Sequence, residues 1–525
     1  MIASLLAAVM IVAHEPGYYT SLSRHIQRWL RSAEVPAEVI TPSEMGARLK
    51  SGPVAFLVGF HEPTARELDE ITAYVRQGGK LVVFHSASPK LGALMGVRPT
   101  GYKTAKYPGC WSRMDFVKSV PSGFPDRILQ SSTVLQSAAP IEGKSRAIAW
   151  WSDRTGKSTG DVAWISSRQG YWMTHVLLAD GDEALKAQLV AAICGSVDPK
   201  LWNREAAEKK RLNEAARLKA YALKQVPRKG EIHAVWDHSG CGLYPGNWPK
   251  TFKVLQEARV TDLFVNVAGA GFAHYPSSVL PSSQTFLNEG DQLAACLQAA
   301  KGTGIRVHAW VLCFTATRSS PKTLAQFRSR GWTLKTADGK PTEFLDPSNP
   351  AVRRHVLAAI EEINSRYRVD GVHLDFVRWY ERSNLPPNAV SSITGFVAET
   401  RSRVPRSKWL TAAVLGKYPS CVAAVGQDWE RWLDLNLVDY VVPMDYTEDL
   451  ARFESYLAQH AVPPKNARRI IAGLGVTANE SRLDAKGVID QTRLVRKYGL
   501  AGVALFDLDT YLEKSVLPYL KLGIW

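Results

Sequence analysis

Short apolar runs alternate with amphipathic stretches in the first 200 residues. The run Val54–Phe60, for example, precedes Pro63–Gln77, an amphipathic stretch that ends at Gly78-Gly79. Alternating strands and helices predict a parallel sheet with helices on both faces. The predicted strands are Val9–Ala13, Ala37–Ile40, Val54–Phe60, Lys80–His85, Ala147–Trp151, Asp161–Ser166 and Tyr171–Leu178, and the predicted helices are Arg24–Arg31, Pro63–Gln77 and Glu183–Cys194.

A second and more regular alternation begins at Glu231. Eight apolar runs are separated by helical stretches, most clearly at Leu293–Lys301, Ala351–Tyr367 and Asp490–Tyr498. Eight strand–helix units predict a (β/α)8 barrel, with a doubly wound open sheet as the alternative. The predicted strands are Ile232–Trp236, Asp262–Val267, Ile305–Cys313, Gly371–Phe376, Trp409–Leu415, Val438–Met444, Arg469–Leu474 and Gly502–Phe506.

The two patterns are joined by a charged segment. Trp202–Lys224 is rich in Ala, Glu, Lys and Arg and contains neither Gly nor Pro, which predicts a helical linker. We therefore predict an α/β chain with a flavodoxin-like domain at 1–200, a linker at 201–228 and a TIM barrel at 229–525. A length of 525 residues agrees with two domains.

The start of the chain, Met1–Ala13, is predominantly apolar and has two interpretations. It resembles the core of a signal peptide, but no Lys or Arg precedes Arg24, so the basic segment of such a peptide is missing. It is also too short to span a membrane. We favour a first buried strand, and export to the periplasm or the medium stays open.

The formal net charge of +16 at pH 7 favours anionic partners. No basic low-complexity tail or helix-turn-helix pattern accompanies it, so a nucleic-acid partner is not predicted. Anionic lipid and acidic polysaccharide stay open as partners, and a generally solvated basic surface is the leading interpretation of the charge itself. The six cysteines are scattered without a CxxC pair. They predict neither a disulfide framework nor a metal site, and no cofactor is indicated.

The order of elements in the first 200 residues resembles the class I glutamine amidotransferase-like fold. Such an enzyme needs a cysteine on the turn after a strand, because a thiolate attacks the amide readily. Here that turn, Phe84–Ser88, contains no cysteine, and the glycine-flanked elbow is absent around Ser86. We predict a non-catalytic accessory domain.

In a (β/α)8 barrel the chemistry lies where the strands end. Asp375 is the strongest candidate, because His373 and Asp375 share one face of their strand and Arg378 follows. Its structural alternative is an aspartate that pairs with Arg378 to hold the loop. Asp445 is the second candidate, although it points sideways if Met444 and Tyr446 face inward.

Two carboxylates matter because glycosidic cleavage usually needs one acid and one base or nucleophile. The predicted catalytic pair is Asp375 and Asp445. The predicted substrate-binding residues are His238, Asn266, His274, His308, Trp310, His373, Arg378, Trp379, Asp428, Tyr446 and Asp507. Trp310, Trp379 and Tyr446 are the candidates for a sugar-stacking floor, whereas Asp428 has a second interpretation as a helix N-cap.

Five motifs in the barrel carry a family resemblance. Residues 231–510 resemble the glycosyl hydrolase-like 10 family, in the subgroup with an amidotransferase-like domain in front. The motifs are His238–Gly246, His274–Ser277, Val307–Trp310, Asp370–Trp379 and Pro443–Thr447. The resemblance implies a (β/α)8 barrel that hydrolyses a polysaccharide, with peptidoglycan glycan strands a substrate of some relatives. Where relatives often have Arg-Tyr-Pro, this chain has Arg378-Trp379-Tyr380.

A more distant similarity to chitinase-like glycosidases tests the mechanism. Asp370, Asp375 and Tyr446 coincide with that family's pattern, but its middle aspartate is His373 and its catalytic glutamate is Val377. Substrate-assisted catalysis with that glutamate is excluded.

The leading hypothesis is therefore a glycoside hydrolase that acts on a bacterial or acidic polysaccharide. The first alternative is a non-catalytic carbohydrate-binding protein on the same barrel, with Asp375 locked in a salt bridge to Arg378. The second is a metal-assisted hydrolase or deacetylase, suggested by the histidines His238, His308 and His373 near Asp375.

Overall fold

The chain consists of two compact units, Met1–Glu214 and Ala215–Trp525. The computed structural model describes residues 9–14, 17–107, 109–179, 182–336, 338–380 and 385–525. Among these residues, no helix combines the length and the apolar character needed to cross a membrane.

The first unit contains eleven strands and five helices of its own. The strands are β1 (Val9–Ala13), β2 (Ala37–Ile40), β3 (Val54–Val58), β4 (Lys80–Phe84), β5 (Val97–Thr104), β6 (Trp111–Phe116), β7 (Arg127–Ser132), β8 (Val134–Pro140), β9 (Ser145–Ser152), β10 (Ser158–Ser167) and β11 (Gly170–Met173). The helices are α1 (Tyr18–Ser32), α2 (Met45–Arg48), α3 (Ala65–Arg76), α4 (Pro89–Met95) and α5 (Glu183–Val197).

Nine of these strands form one sheet in the order β2-β1-β3-β4-β11-β10-β9-β6-β7. The first five run parallel, in the 2-1-3-4-5 order of flavodoxin-like sheets. The predicted parallel-sheet unit is thus confirmed. Every residue of β1 and β3 is buried, as expected for strands covered on both faces. Val9–Ala13 is therefore a core strand, whereas Met1–Ala8 lies outside the described residues.

The other half of this sheet differs from the prediction. Strands β10, β9, β6 and β7 pair antiparallel, and β5 and β8 form a separate antiparallel pair. Residues 97–140, which supply four of these strands, were not predicted as strands. The alternating burial of β7 explains why, since every second residue is exposed and no continuous apolar run marks the strand.

The helix predicted for Trp202–Lys224 is present as α6 (Arg204–Leu223). The strands that follow are β12 (Ile232–Asp237), β13 (Asp262–Gly269), β14 (Phe272–Ala273), β15 (Arg306–Leu312), β16 (Thr333–Lys335), β17 (Pro341–Leu345), β18 (Gly371–Asp375), β19 (Trp409–Leu415), β20 (Tyr440–Met444), β21 (Ile471–Gly475) and β22 (Gly502–Phe506). The helices are α7 (Trp248–Glu257), α8 (Gln284–Glu289), α9 (Gln292–Ala300), α10 (Pro321–Ser329), α11 (Pro350–Arg366), α12 (Ala389–Arg403), α13 (Ser420–Val425), α14 (Trp429–Asp434), α15 (Leu450–His460), α16 (Pro464–Ala467), α17 (Ala485–Lys497) and α18 (Leu517–Leu520).

Eight parallel strands of the second unit close into a barrel. Their order is β12-β22-β21-β20-β19-β18-β15-β13, and pairing of β12 with β13 completes the ring. All eight predicted barrel strands are present, and the closure excludes an open doubly wound sheet. Since the carboxyl ends of parallel strands meet at one rim, the loops that follow them surround one mouth.

The barrel interior contains a polar group near its amino-terminal end. Asp262, the first residue of β13, accepts hydrogen bonds from Arg306 Nε and Nη2 at 2.7 Å, and His308 Nε2 lies 2.8 Å from its Oδ1. Burial alone raises the pKa of Asp262, but hydrogen bonds from His308 and Arg306 lower it to about 2. The carboxylate is therefore ionised and paired.

We predict that Asp262→Asn destabilises the barrel, because it leaves the Arg306 charge without its partner. The Arg306 side chain is 41% exposed, so water partly compensates its charge, and a decrease of about 1.5–3 kcal/mol in the free energy of unfolding is expected at pH 7 for the lost charged hydrogen bonds. Urea unfolding followed by tryptophan fluorescence measures it. In the wild type this pairing stabilises the fold above about pH 4, and the stabilisation is lost as the pH falls toward 2. The variant should lack this part of the decrease in stability at acid pH.

Asp338→Asn is the matched control, because Asp338 makes an ion pair with Lys340 in which both side chains are more than half exposed. No measurable change is expected there. Equal stability of the two variants at pH 7 would contradict the importance of the buried group.

Candidate functional site

Asp375 ends the fourth barrel strand, β18, and its side chain is 5% exposed. Its Oδ1 accepts a hydrogen bond of 2.5 Å from the backbone N–H of Phe376, and Phe376 has a positive φ of 49°. This left-handed residue turns the chain sharply after the strand. Burial raises the pKa of Asp375, whereas Arg378, the Phe376 N–H and the Trp310 side chain oppose the increase.

Arg378 does not lock the Asp375 carboxylate. Arg378 Nη1 lies 3.7 Å from Asp375 Oδ1, which is longer than a hydrogen bond, and the guanidinium stacks over the Phe376 ring at 4.3 Å. The buried Nη1 has no hydrogen-bond partner among the described residues. The geometry is therefore that of two neighbouring charges and not of a closed salt bridge.

Asp507 follows the eighth strand, β22. Its Oδ1 accepts hydrogen bonds from the backbone N–H of Leu508 at 2.7 Å and of His238 at 3.0 Å, while its Oδ2 accepts none from the described residues. Burial, with further contributions from Asp237 and Asp509, raises the pKa of Asp507 to about 7. Predicted as a substrate-binding residue, Asp507 has the protonation behaviour of a proton donor.

The loop after β12 is held by Asp237. Its carboxylate accepts hydrogen bonds from the backbone N–H groups of Ser239, Gly240 and Gly242 and from the Ser239 hydroxyl, at 2.6–3.2 Å. Gly240 and Gly242 both have φ of 71°, which glycine adopts without strain. Asp237 thus stabilises its own loop and places His238 at the mouth.

Sequence reasoning missed Arg318. Its Nη1 donates to Asn266 Oδ1 at 2.6 Å and to the His238 carbonyl at 3.1 Å, and its guanidinium lies 4.9 Å from the Phe272 ring centre. Asn266 is completely buried and also donates to the Trp310 carbonyl at 3.2 Å. Arg318 lies in the loop after β15, beyond any strand-end pattern, so only the fold reveals it.

Asp445 requires a correction. The side chain is completely buried, and its Oδ1 and Oδ2 lie 3.0 and 3.1 Å from Nε2 of His460 at the end of α15. Space for it exists only because residue 416 is glycine, where an added Cβ would lie 2.1 Å from Oδ1. The carboxylate pairs with the helix layer outside the barrel interior, which argues against the predicted catalytic role.

Three of the predicted binding histidines are buried in supporting positions. His373 is completely buried, stacks on Phe264 at 4.2 Å, receives a hydrogen bond from Trp236 Nε1 at 2.9 Å and contacts Thr411 Oγ1 at 2.8 Å. Both of its ring nitrogens are therefore engaged within the barrel. His308 pairs with Asp262 near the opposite end, and a contact of either histidine with substrate stays a prediction.

The third histidine, His274, is 2% exposed and lies 2.6 Å from Ser283 Oγ through its Nδ1. Burial, with the Arg318 charge, lowers its pKa to about 3. His238 is exposed as a residue, but its imidazole ring lies partly within the protein. This partial burial and the Arg318 charge lower the pKa of His238 to about 4. Both imidazoles are therefore neutral at pH 7. Among the described residues, no three His, Cys, Asp or Glu side chains are arranged to hold a metal ion.

The aromatic residues at the mouth differ partly from the predicted floor. Trp379 is 3% exposed and donates to the Ala389 carbonyl at 3.3 Å, so it belongs to the core. Tyr446 is partly exposed, stacks on Phe506 at 5.7 Å, and has a pKa raised by burial and by Asp375 and Asp507. Its hydroxyl therefore lies in the field of both carboxyl groups.

Other aromatic contacts extend this surface. The His238 ring lies 5.7 Å from Trp310 and 6.0 Å from Phe506, and Phe344 stacks on Tyr380 at 4.3 Å. Asp428 precedes α14 in the N-cap position, but it makes no capping hydrogen bond and accepts one from Tyr418 Oη at 3.2 Å.

In the first unit, the serine on the turn after β4 is engaged within the protein. Ser86 is completely buried and donates its hydroxyl to the Phe60 carbonyl. The amidotransferase-like relationship of this unit stays a prediction.

Comparison with known proteins supports the family predicted from the motifs. Residues 246–393 match the model of the family described as Glycosyl hydrolase-like 10. The chain is similar to the glycosyl hydrolase DigH of Escherichia coli K12, with 24% identity over 247 residues that cover 37% of this chain and 56% of that protein. The chain thus spans about half the length of the curated relatives it matches.

Two solved structures are similar to the chain. The glycoside hydrolase domain of PgaB (BpsB) from Bordetella bronchiseptica has 14% identity and a TM-score of 0.43, with coverage of 53% of this chain and 93% of that one. A chitinase from Bacteroides thetaiotaomicron has 11% identity and a TM-score of 0.37, with coverage of 56% and 96%.

The two aspartates, Asp445 and Asp507, should respond oppositely to replacement by asparagine. Asp445→Asn weakens the pair with His460 and should lower the free energy of unfolding by about 2 kcal/mol. Because the pKa of Asp507 is raised, ionising it costs folding energy as the pH rises from 4 through 7. Asp507→Asn removes that cost and should be more stable than the wild type at pH 8, by about 2 kcal/mol.

Thermal unfolding at pH 5 and pH 8 separates the two effects. The advantage of Asp507→Asn should shrink at pH 5, where the wild-type carboxyl is protonated. A destabilised Asp507→Asn at pH 8 would show that this side chain is instead ionised and stabilising.

Proposed function

We propose that this protein is a glycoside hydrolase in which Asp375 and Asp507 are the two catalytic carboxyl groups. The observation that carries the proposal is the pair itself. Asp375, which is buried, and Asp507, which is partly exposed, lie at the ends of opposite strands of the barrel. The pKa of both is raised, and both raise the pKa of the Tyr446 hydroxyl. Hydrolysis of a glycosidic bond requires two such groups on either side of the bond.

The two groups differ in a way that suits different roles. Asp507, with a pKa of about 7, retains its proton near neutral pH, and its Oδ2 has no hydrogen-bond partner among the described residues. It is the general acid. We assign Asp375 as the base or the nucleophile, because Arg378, 3.7 Å away, favours its ionised form against the larger effect of burial, which raises its pKa.

The surroundings suit a sugar ring. Tyr446 and Phe506 present partly exposed aromatic surface, Trp310 packs against this group at 3% exposure, and Phe344 of β17 stacks on Tyr380. Apolar ring faces of sugars bind such surfaces. The proposed substrate is a bacterial or acidic polysaccharide, with the glycan strands of peptidoglycan as one candidate, and the net charge of +16 supports an anionic polymer.

The proposal predicts new reducing ends when the protein is incubated with a panel of bacterial and acidic polysaccharides. Asp375→Asn and Asp507→Asn should each lower the rate by at least about 100-fold, because each removes one proton-transfer or nucleophilic group. Mass spectrometry of the products measures this, with Asp338→Asn as the unaffected control. Retention of a glycan without any product would instead identify a non-catalytic binding protein.

The pH dependence tests the assignment of roles. The acid must be protonated, so kcat/KM of the wild type should fall as the pH rises through about 7, the pKa of Asp507. Residual turnover of an activated aryl glycoside by Asp507→Asn needs no acid and should lack this decrease. If kcat/KM of that variant still decreases above pH 7 as in the wild type, the decrease belongs to another group, and Asp507 is not the acid.

A further inference from the structure

One cation at the mouth has no anionic partner. Among the described residues, no carboxylate oxygen lies within ion-pair distance of the Arg318 guanidinium, although Asp237 and Asp507 are close enough to influence its pKa. Asp237 is occupied by its own loop, and Asp507 by two backbone N–H groups. Neither neighbour therefore neutralises Arg318 directly.

The orientation of Arg318 is fixed through one of its nitrogens. Nη1 donates to Asn266 Oδ1 and to the His238 carbonyl, and the group faces the Phe272 ring. Its Nε and Nη2 donate to none of the described residues, and these two nitrogens form the edge of a guanidinium that binds a carboxylate in a bidentate manner. The residue as a whole is exposed, and this edge has no hydrogen-bond acceptor among the described residues.

His238 connects this edge with the proposed acid. The carbonyl of His238 accepts from Arg318, while its N–H donates to Asp507 Oδ1 at 3.0 Å. The Arg318 guanidinium and the Asp507 carboxyl group thus contact the two backbone polar groups of the same residue. A ligand whose glycosidic oxygen contacts Asp507 would place the substituents of the adjacent sugar ring near Arg318.

We propose that Arg318 binds the carboxylate of an acidic sugar residue, side-on through Nε and Nη2. This inference rests on the proposed function and adds the class of substrate: a polysaccharide in which a sugar next to the cleaved bond carries a carboxylate. The same chemistry occurs in a uronic acid, as a C5 carboxylate, and in an amino sugar with an ether-linked lactyl group. Arg378 lies 3.7 Å from Asp375 Oδ1, whereas no described carboxylate oxygen lies within ion-pair distance of Arg318.

The test is isothermal titration with two acidic probes, an oligosaccharide of uronic acids and a peptide-free oligosaccharide of a peptidoglycan glycan strand. Each is compared with its carboxyl-reduced, neutral counterpart at low salt. The wild type should bind one acidic probe about 10- to 100-fold more tightly than its counterpart, as expected for a charge-assisted bidentate pair. The preferred probe identifies the source of the carboxylate.

Arg318→Met should abolish this preference, and Arg318→Lys should retain part of it, because lysine keeps the charge but loses the fork. Arg330→Met is the matched control, since Arg330 is an exposed arginine that also stacks on an aromatic ring, 5.2 Å from Trp332. The control should bind like the wild type. The lysine variant and a circular dichroism spectrum separate a loss of contact from a loss of fold.

Equal affinity for acidic and neutral probes, binding of neither acidic probe, or a preference that persists in Arg318→Met would overturn the inference. The same experiments distinguish a failure of the carboxylate site from a failure of the proposed hydrolase activity. An Arg318-dependent preference without any product would uphold the carboxylate site and reject hydrolysis. Release of products from neutral glycans at an unchanged rate in Arg318→Met would do the reverse.

Discussion

The candidate site depends on the hydrogen bonds by which Asp237 holds the loop after the first barrel strand. Four donors of that loop converge on this one carboxylate, two of them at glycines with positive φ. The loop in turn presents both backbone groups of His238, one to Asp507 and the other to Arg318. Without it, Asp507 would keep only the hydrogen bond from Leu508, and Arg318 only the one to Asn266.

Two aspartates at opposite ends of the barrel have pKa values shifted in opposite directions, because their hydrogen-bond partners differ. Asp262, at the amino-terminal end, receives hydrogen bonds from Arg306 and His308 and has a pKa of about 2. Asp507, at the mouth, receives only backbone hydrogen bonds, lies near other carboxylates and has a pKa of about 7. The paired group stabilises the fold, whereas the unpaired one reduces stability at neutral pH. Such a cost is common where a protein needs a reactive group.

The sequence allowed most of the barrel to be predicted but only part of the site. Continuous apolar runs mark strands that are buried on both faces, so all eight barrel strands could be located. Alternation along β18 also placed Asp375 correctly at the strand end. Asp445 could not be resolved in this way, because its partner His460 lies on the following helix, and spacing does not report which side chains meet.

Arg318 also shows that sequence spacing does not reveal which side chains meet. It belongs to a loop without periodicity, and its role follows only from contacts with Asn266 and His238, which are distant in sequence. The strands between residues 97 and 140 were missed for a related reason. An antiparallel strand with one exposed face, such as β7, has no apolar run, and its pattern resembles that of a polar loop.

The turn after β4 in the first unit provides a comparison with the turn after β18. His85 and Phe376 follow their strands with the same positive φ of 49°. The turn after β18 leaves Asp375 at the mouth with a carboxyl group that can exchange a proton. The turn after β4 instead buries Ser86, whose hydroxyl is bound to a carbonyl, and it presents His85, whose pKa is lowered to about 3 by burial and by His175 and His61. The same strand-end turn thus places different side chains in different surroundings, and the chemistry it can support depends on which side chain it exposes and how that side chain is paired.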